Sequence, residues 1–177
     1  MNKTWLIADT HWGDSAILKF ENRPFASVEE MDEALIRNWN EVVGKDDEVY
    51  VLGDVAWYDF RYAQEIIISK LKGHKILIMG NHDFISPNPQ HAARMWLSAG
   101  FDEVSRFPII LDEFWILSHE PLYMNTLIHP YVNIFGHIHG NPAYKDFSPQ
   151  SFCVSVERIG YKPIDFEEVK RRVIGSA

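Results

Sequence analysis

Five apolar runs in this chain end on side chains that can donate oxygen or imidazole nitrogen to a cation. Trp5–Ala8 runs into Asp9-Thr10-His11, Val49–Leu52 into Gly53-Asp54, and Ile76–Met79 into Gly80-Asn81-His82-Asp83. Phe114–Leu117 runs into Ser118-His119, and Val132–Phe135 into Gly136-His137-Ile138-His139-Gly140. In an extended segment residues i and i+2 point the same way, so Asp9 and His11 can converge, and His137 and His139 can with a modest twist. The donors are two carboxylates, an amide and several imidazoles, with no thiolate. That set suits Mn²⁺, Fe²⁺ or Zn²⁺ better than a soft metal, and is too rich in nitrogen for Ca²⁺ or Mg²⁺ alone. It is also too large for one tetrahedral ion. Two divalent ions, roughly 3.5–4 Å apart and sharing a carboxylate and a water, fit better. Together with two ionised Asp and one hydroxide they leave a positive site that attracts an anionic phosphoester. Asn81 helps, because an amide oxygen binds metal without cancelling charge.

Strands and helices must hold these donors. The strands read as Thr4–Ala8, Glu48–Leu52, Lys75–Met79, Phe114–Leu117, Val132–Phe135 and Phe152–Val156, rich in Val, Ile, Leu and aromatics. Ser27-Val28-Glu29-Glu30 is a capping box opening a helix to about Val43, with Gly44 as its C-cap glycine. Tyr62–Leu71 reads as a second helix closed by Gly73, and Asp165–Ile174 as the last, followed by Gly175. A further helix follows Pro89, through His91 to Ser98. Gly53, Gly80, Gly136 and Gly140 are expected to supply backbone freedom beside the donors. Helices alternate with strands early and strands dominate later, which implies a mixed α/β layered domain.

The bulk composition narrows the function. The 177 residues fit one domain, 1–177, and 46% are apolar, enough for a sizeable core. A net charge of −8 works against a broad grip on nucleic acid or anionic membrane. The one cysteine, Cys153, forms no intrachain disulfide and no Cys-based metal motif. The apolar stretch Trp5–Ala8 is too short for a secretory leader, and no run is long enough to span a bilayer, so a cytoplasmic setting is expected.

The blocks D-x-H, G-D, G-N-H-D, a lone H and G-H-x-H, in order over residues 9–139, resemble the calcineurin-like metallophosphoesterase family. Asn22-Arg23-Pro24-Phe25, Ser118-His119-Glu120-Pro121-Leu122, and Ser155-Val156-Glu157 with Tyr161-Lys162-Pro163 resemble a small bacterial and phage-type branch of it. The resemblance implies a two-sheet mixed β-sandwich flanked by helices, with the metals at one edge. It implies that Asp9, His11 and His139 hold one ion and Asn81, His119 and His137 the other, with Asp54 bridging both. Mn²⁺ is the first choice of metal, with Fe²⁺, Zn²⁺ or Ni²⁺ as alternatives. His82 would sit beside the phosphate as a catalytic residue that stabilises or protonates the leaving oxygen. Asp83, grouped with it, would orient His82 or a neighbouring loop. The implied reaction is hydrolysis of a phosphate mono- or diester by a metal-bridging hydroxide, on a small or nucleotide-like substrate. After His11 the chain has Trp12-Gly13-Asp14, where many relatives of this branch carry a second His near position 14. That departure bears on substrate contacts. With no inserted cap, the site is expected to be open.

Other residues read more plainly. His74, His91 and His129 are expected at the surface or in hydrogen-bonded core positions, and Arg23 in a surface ion pair rather than on phosphate. Trp12, Trp57, Tyr58, Phe84 and Tyr123 are core aromatics first, with stacking on a base or aryl group as the alternative. Lys170, Arg171 and Arg172 read as the solvated positive end of the last helix. A nuclease or protein phosphatase would use the same site, although the acidic balance argues against a polynucleotide channel. A non-catalytic scaffold on the same fold is the alternative from another class; here every expected ligand is present. Oligomeric state is not legible.

Overall fold

The computed structural model describes residues 2–56, 60–124, 130–144 and 148–175; Trp57, Tyr58 and His129 fall outside them. The first layer is built from β1 (Thr4–Ile7), α1 (Ser15–Phe20), α2 (Val28–Val42), β2 (Glu48–Val51), α3 (Phe60–Lys70), β3 (His74–Ile78), α4 (Pro89–Ser98) and β4 (Glu103–Ser105). Then come β5 (Ile109–Leu111), β6 (Trp115–Leu117), β7 (Val132–Phe135), β8 (Ser151–Cys153), α5 (Val156–Ile159), β9 (Ile164–Asp165) and α6 (Phe166–Ile174). The strands form two mixed sheets in the orders β4-β3-β2-β1-β9 and β5-β6-β7-β8. This is the helix-flanked mixed two-sheet α/β architecture expected.

Side-chain alternation explains the layering. Trp5, Ile7, Val49, Val51, Leu77 and Met79 point from the first sheet into a core shared with α1 to α4. Their neighbours Leu6, Ala8, Tyr50, Leu52, Ile76 and Ile78 point the other way, against Trp115, Leu117, Val132 and Ile134 of the second sheet and Phe166, Val169 and Val173 of α6. Strands buried on both faces become continuous apolar runs, which is why they stand out in the sequence. Register then brings the loops level. Ile7 pairs with Val51 and Val51 with Leu77, while Leu117 pairs with Ile134. The two sheets meet where Ala8 N–H donates to the Val154 carbonyl and Val156 N–H to that of Ala8.

Several boundaries differ from expectation. The run Phe152–Val156 is a strand only to Cys153, and Val156 opens α5. Gly44 is not a left-handed cap: α2 ends on extended Val43, and the Gly44 N–H donates to Asp47 Oδ2 instead. Gly175 is also right-handed, whereas Gly73 has φ +91° as a closing glycine should. In the capping box, Ser27 Oγ accepts the Glu30 N–H, but Glu30 reaches one residue further back, to the Ala26 N–H at 2.7 Å. No helix among the described residues is long and apolar enough to cross a membrane.

Candidate metal centre

The loops leaving β1, β2, β6 and β7 run side by side because their backbones bond to one another. Asp9 N–H donates to the Gly53 carbonyl, His11 N–H to that of Asp54, and Gly136 N–H to that of His119. Asp9, His11, Asp54, His137 and His139 all sit at positive φ, from 47° to 68°. That is an uncommon conformation for non-glycine residues, costing on the order of 1–3 kcal/mol each. These are five of the seven donors expected from the sequence, so strain concentrates in the candidate centre. Of the four glycines expected to give freedom, Gly53 alone has positive φ, at +82°. Gly80 is needed for room instead: a Cβ there would meet the Asp54 carboxylate, and one on Gly53 would lie 2.5 Å from His119 Nδ1.

All seven expected donors gather. Asp9, His11, Asp54 and His139 offer ligand atoms within 4.8 Å of one another, and so do Asp54, His119 and His137. Asn81 completes the second group, its Oδ1 standing 3.0 Å from His119 Nε2 and 3.0 Å from His137 Nδ1. Asp54 belongs to both groups, its Oδ2 lying 3.4 Å from His119 Nε2 and 3.8 Å from His11 Nε2.

Neighbouring groups fix which ring nitrogen faces the centre. His119 Nδ1 is 2.8 Å from the Leu52 carbonyl, which only accepts, so Nε2 is left for the cluster. His139 Nδ1 meets Glu157 Oε1 at 3.2 Å, and His11 Nδ1 meets Asp14 Oδ2 at 3.4 Å. Imidazoles held by a carboxylate or carbonyl on the other nitrogen are the usual arrangement of metal-binding histidines, and this donor set fits divalent ions. The electrostatics agree. Burial pushes the Asp54 carboxyl up, yet the hydrogen bond and charge of His119 bring it down to about 2. Burial pulls His119 down, but Asp54 and then Asp9 raise it to about 9. The cluster thus stabilises positive charge at its centre, as a proton on His119 or as a cation.

His82 borders the centre, its Nε2 3.8 Å from Asp54 Oδ2, and lines the open groove of about 850 Å³ whose walls also include His137 and His139. Burial lowers its pKa. Asp83 does not touch the groove. Its buried carboxylate accepts the N–H groups of Asp54, Val55 and Gly80 at 2.8, 3.0 and 2.8 Å, so of the two orienting roles expected it has the bonds of a loop anchor.

Arg23 corrects its expected surface role. It is fully buried, with NH2 2.7 Å from the Asp9 carbonyl, NH1 3.0 Å from that of Thr10, and Nε and NH2 at 2.9 and 2.6 Å from Glu157 Oε1. The sequence does not mark Glu157 and Asp14 as supports of His139 and His11. Glu157 lay in a family-like stretch, but 18 residues from His139 nothing local marked its role. Trp12 is core, while Phe84 and Tyr123 are exposed. His74 lies near Asp102 and Glu103, and His91 is exposed.

Comparison with known proteins agrees with this geometry. The profile of the calcineurin-like phosphoesterases matches residues 3–155. The uncharacterized protein MJ1445 of Methanocaldococcus jannaschii is 35% identical over 179 residues, covering 98% of this chain and 92% of its own. The gene 66 protein of Mycobacterium phage L5 is 38% identical over 93 residues, 51% of this chain and 44% of its own. Among solved structures, a protein of unknown function, AQ665 from Aquifex aeolicus, superposes with a TM-score of 0.72 at 25% identity, over 97% of this chain and 99% of its own.

Proposed function

This chain belongs to the calcineurin-like phosphoesterase family, and on that premise we propose that it is a dinuclear metal-dependent hydrolase of a small phosphate mono- or diester. The observation that carries the reading is Asp54: one buried carboxylate shared by two donor groups, with Asp9, His11 and His139 on one side and Asn81, His119 and His137 on the other. Bound there, Mn²⁺ or a similar divalent ion supplies Lewis-acid charge and acidifies water. The chain's own residues do the rest. Asp83 and Arg23 hold the donor loops in their strained form. The open groove admits the ester. His82, at the groove's edge, stabilises or protonates the departing oxygen.

Metal analysis and turnover of aryl mono- and diesters with added Mn²⁺ test this. Asp54→Ala should lose both metal and turnover. His82→Ala should keep the metal and lose turnover by a factor of about 10²–10⁴. A folded wild-type protein that binds no divalent ion and turns over no ester would favour the scaffold reading.

A further inference from the structure

Asn81 lines a second cavity besides the open groove. This one, of about 350 Å³, also reaches His119. Its walls carry Phe84, Phe107 and Leu122, which are 44%, 67% and 39% exposed. Large apolar side chains left in water around a pocket that touches two candidate ligands need a partner, since covering them is favourable. Besides Asn81, His119 and the buried Ser118, the polar side chains at the same pocket are Arg106 and Glu120. The Arg106 guanidinium lies 5.4 Å from the centroid of the Phe107 ring, and among the described residues it makes no ion pair.

Three chemistries could fill such a pocket. A plain alkyl or aryl arm would bury the rings but leave the Arg106 donors and the Glu120 acceptors unused. A second phosphate would suit Arg106 but meet the carboxylate of Glu120. A flat heteroaromatic ring with donors and acceptors on its edge uses all of them, stacking on phenyl faces while its edge meets a guanidinium and a carboxylate. Because Asn81 lines both cavities, a phosphodiester with phosphorus at the metal centre can extend one arm into each, whereas a monoester has only one arm to place.

We propose that the Phe84–Phe107 cavity is a subsite for the nucleobase-like arm of a phosphodiester whose leaving group occupies the groove beside His82. This rests on the phosphoesterase reading and goes beyond it in naming the substrate class.

Two chromogenic diesters with a common leaving group test it: the p-nitrophenyl ester of thymidine 5′-phosphate, and methyl p-nitrophenyl phosphate. With the Mn²⁺-loaded protein, kcat/KM should favour the nucleotidyl ester at least tenfold. Phe84→Ala with Phe107→Ala should lower that ratio about tenfold or more, mainly through KM, as loss of base stacking does. A Phe84→Leu, Phe107→Leu pair keeps apolar bulk and protects against a folding defect, yet should lose the preference too. Calorimetric binding of thymidine 5′-monophosphate against methyl phosphate gives a readout independent of turnover. If neither ester is cleaved but the nucleotide binds tenfold tighter in wild type only, the subsite stands and the hydrolase reading falls. If both esters are cleaved at equal kcat/KM and neither pair of substitutions changes the ratio, the subsite is refuted while the hydrolase reading survives. A leucine pair that keeps the full preference also refutes it.

Discussion

Arg23 shows how one buried side chain sustains strained candidate ligands. Its guanidinium bonds the carbonyls of Asp9 and Thr10, and so grips the turn in which Asp9 and His11 sit at φ 59° and 51°. The same group neutralises Glu157, which in turn holds His139. Burial pushes the Glu157 carboxyl up, but the His139 hydrogen bond and the Arg23 charge outweigh that and hold it below its ordinary 4.5. A depressed carboxylate stabilises the fold above its ordinary value, and that contribution disappears as pH falls through the folded value. Arg23→Gln leaves Glu157 charged and buried without its partner, so unfolding in urea should show a loss of about 3–5 kcal/mol. Arg23→Lys should lose less stability but still weaken metal binding, because an ammonium lacks the fork that spans three acceptors. Arg23→Lys with wild-type stability and wild-type metal affinity would show that the clamp is idle. Arg23 and Glu157 each stand in a family-like stretch, but nothing in the sequence pairs them. A lone arginine usually lies at the surface, and its carboxylate partner is 134 residues away.

At the scale of elements, α2 is tied to the loop that carries Asp9 and His11 through Asp32. This carboxylate is 1% exposed and accepts the Gly13 N–H at 3.1 Å, just beyond His11. Burial, the largest influence, raises its pKa to about 6 against the pull of Tyr62 and Gly13. An acid raised in the fold binds protons more tightly there than in the unfolded chain. Stability is therefore unaffected below the ordinary value, falls as pH rises from about 4 to 6, and stays lower above that. Asp32→Asn keeps an acceptor for Gly13 and removes the titration. The wild-type-minus-variant difference in unfolding free energy should then change by about 2–3 kcal/mol between pH 4 and pH 6.5 and be flat beyond. A difference that is flat throughout would contradict it. The elements that the sequence revealed are those with enough length or burial to leave a pattern. The strands β1, β2 and β3 are apolar on both faces, β6 and β7 bury one apolar face in the second core, α2 opens at the Ser27 capping box and α4 at Pro89. The hidden ones lacked such a pattern. Helix α1 has 6 residues and one buried side chain, Ile17, and its cap Asp14 looked like a departure from a motif. Strand β9 has 2 residues. Val156 extends the apolar run of β8, and Ser155 makes no side-chain cap bond, so the apolar neighbours mask the switch from strand to helix.

Across the whole molecule, the candidate centre lies on the seam between two sheets. Asp9, Asp54 and Asn81 follow strands of the first sheet, while His119, His137 and His139 follow strands of the second. The direct backbone link there is the bridge from Ala8 to Ser155, reinforced by the His137 N–H, which donates to both Asp9 carboxylate oxygens at 3.0 and 2.9 Å. A divalent ion bound by donors from both sides cross-links the sheets, and any state in which they part gives up that binding energy. Metal should therefore stabilise the fold by mass action, by about 4 kcal/mol at free ion a thousand times its Kd, and chelation should reverse the gain. Asp54→Ala should show no metal-dependent rise in Tm. Hydrogen exchange sharpens the point, because it reads opening locally. Amides at the ends of β1 and β2 in the first sheet, and of β6 and β7 in the second, should slow together on adding Mn²⁺. Slowing confined to one sheet would mean that the ions are held on one side of the seam, and that the donors across it take no part in binding.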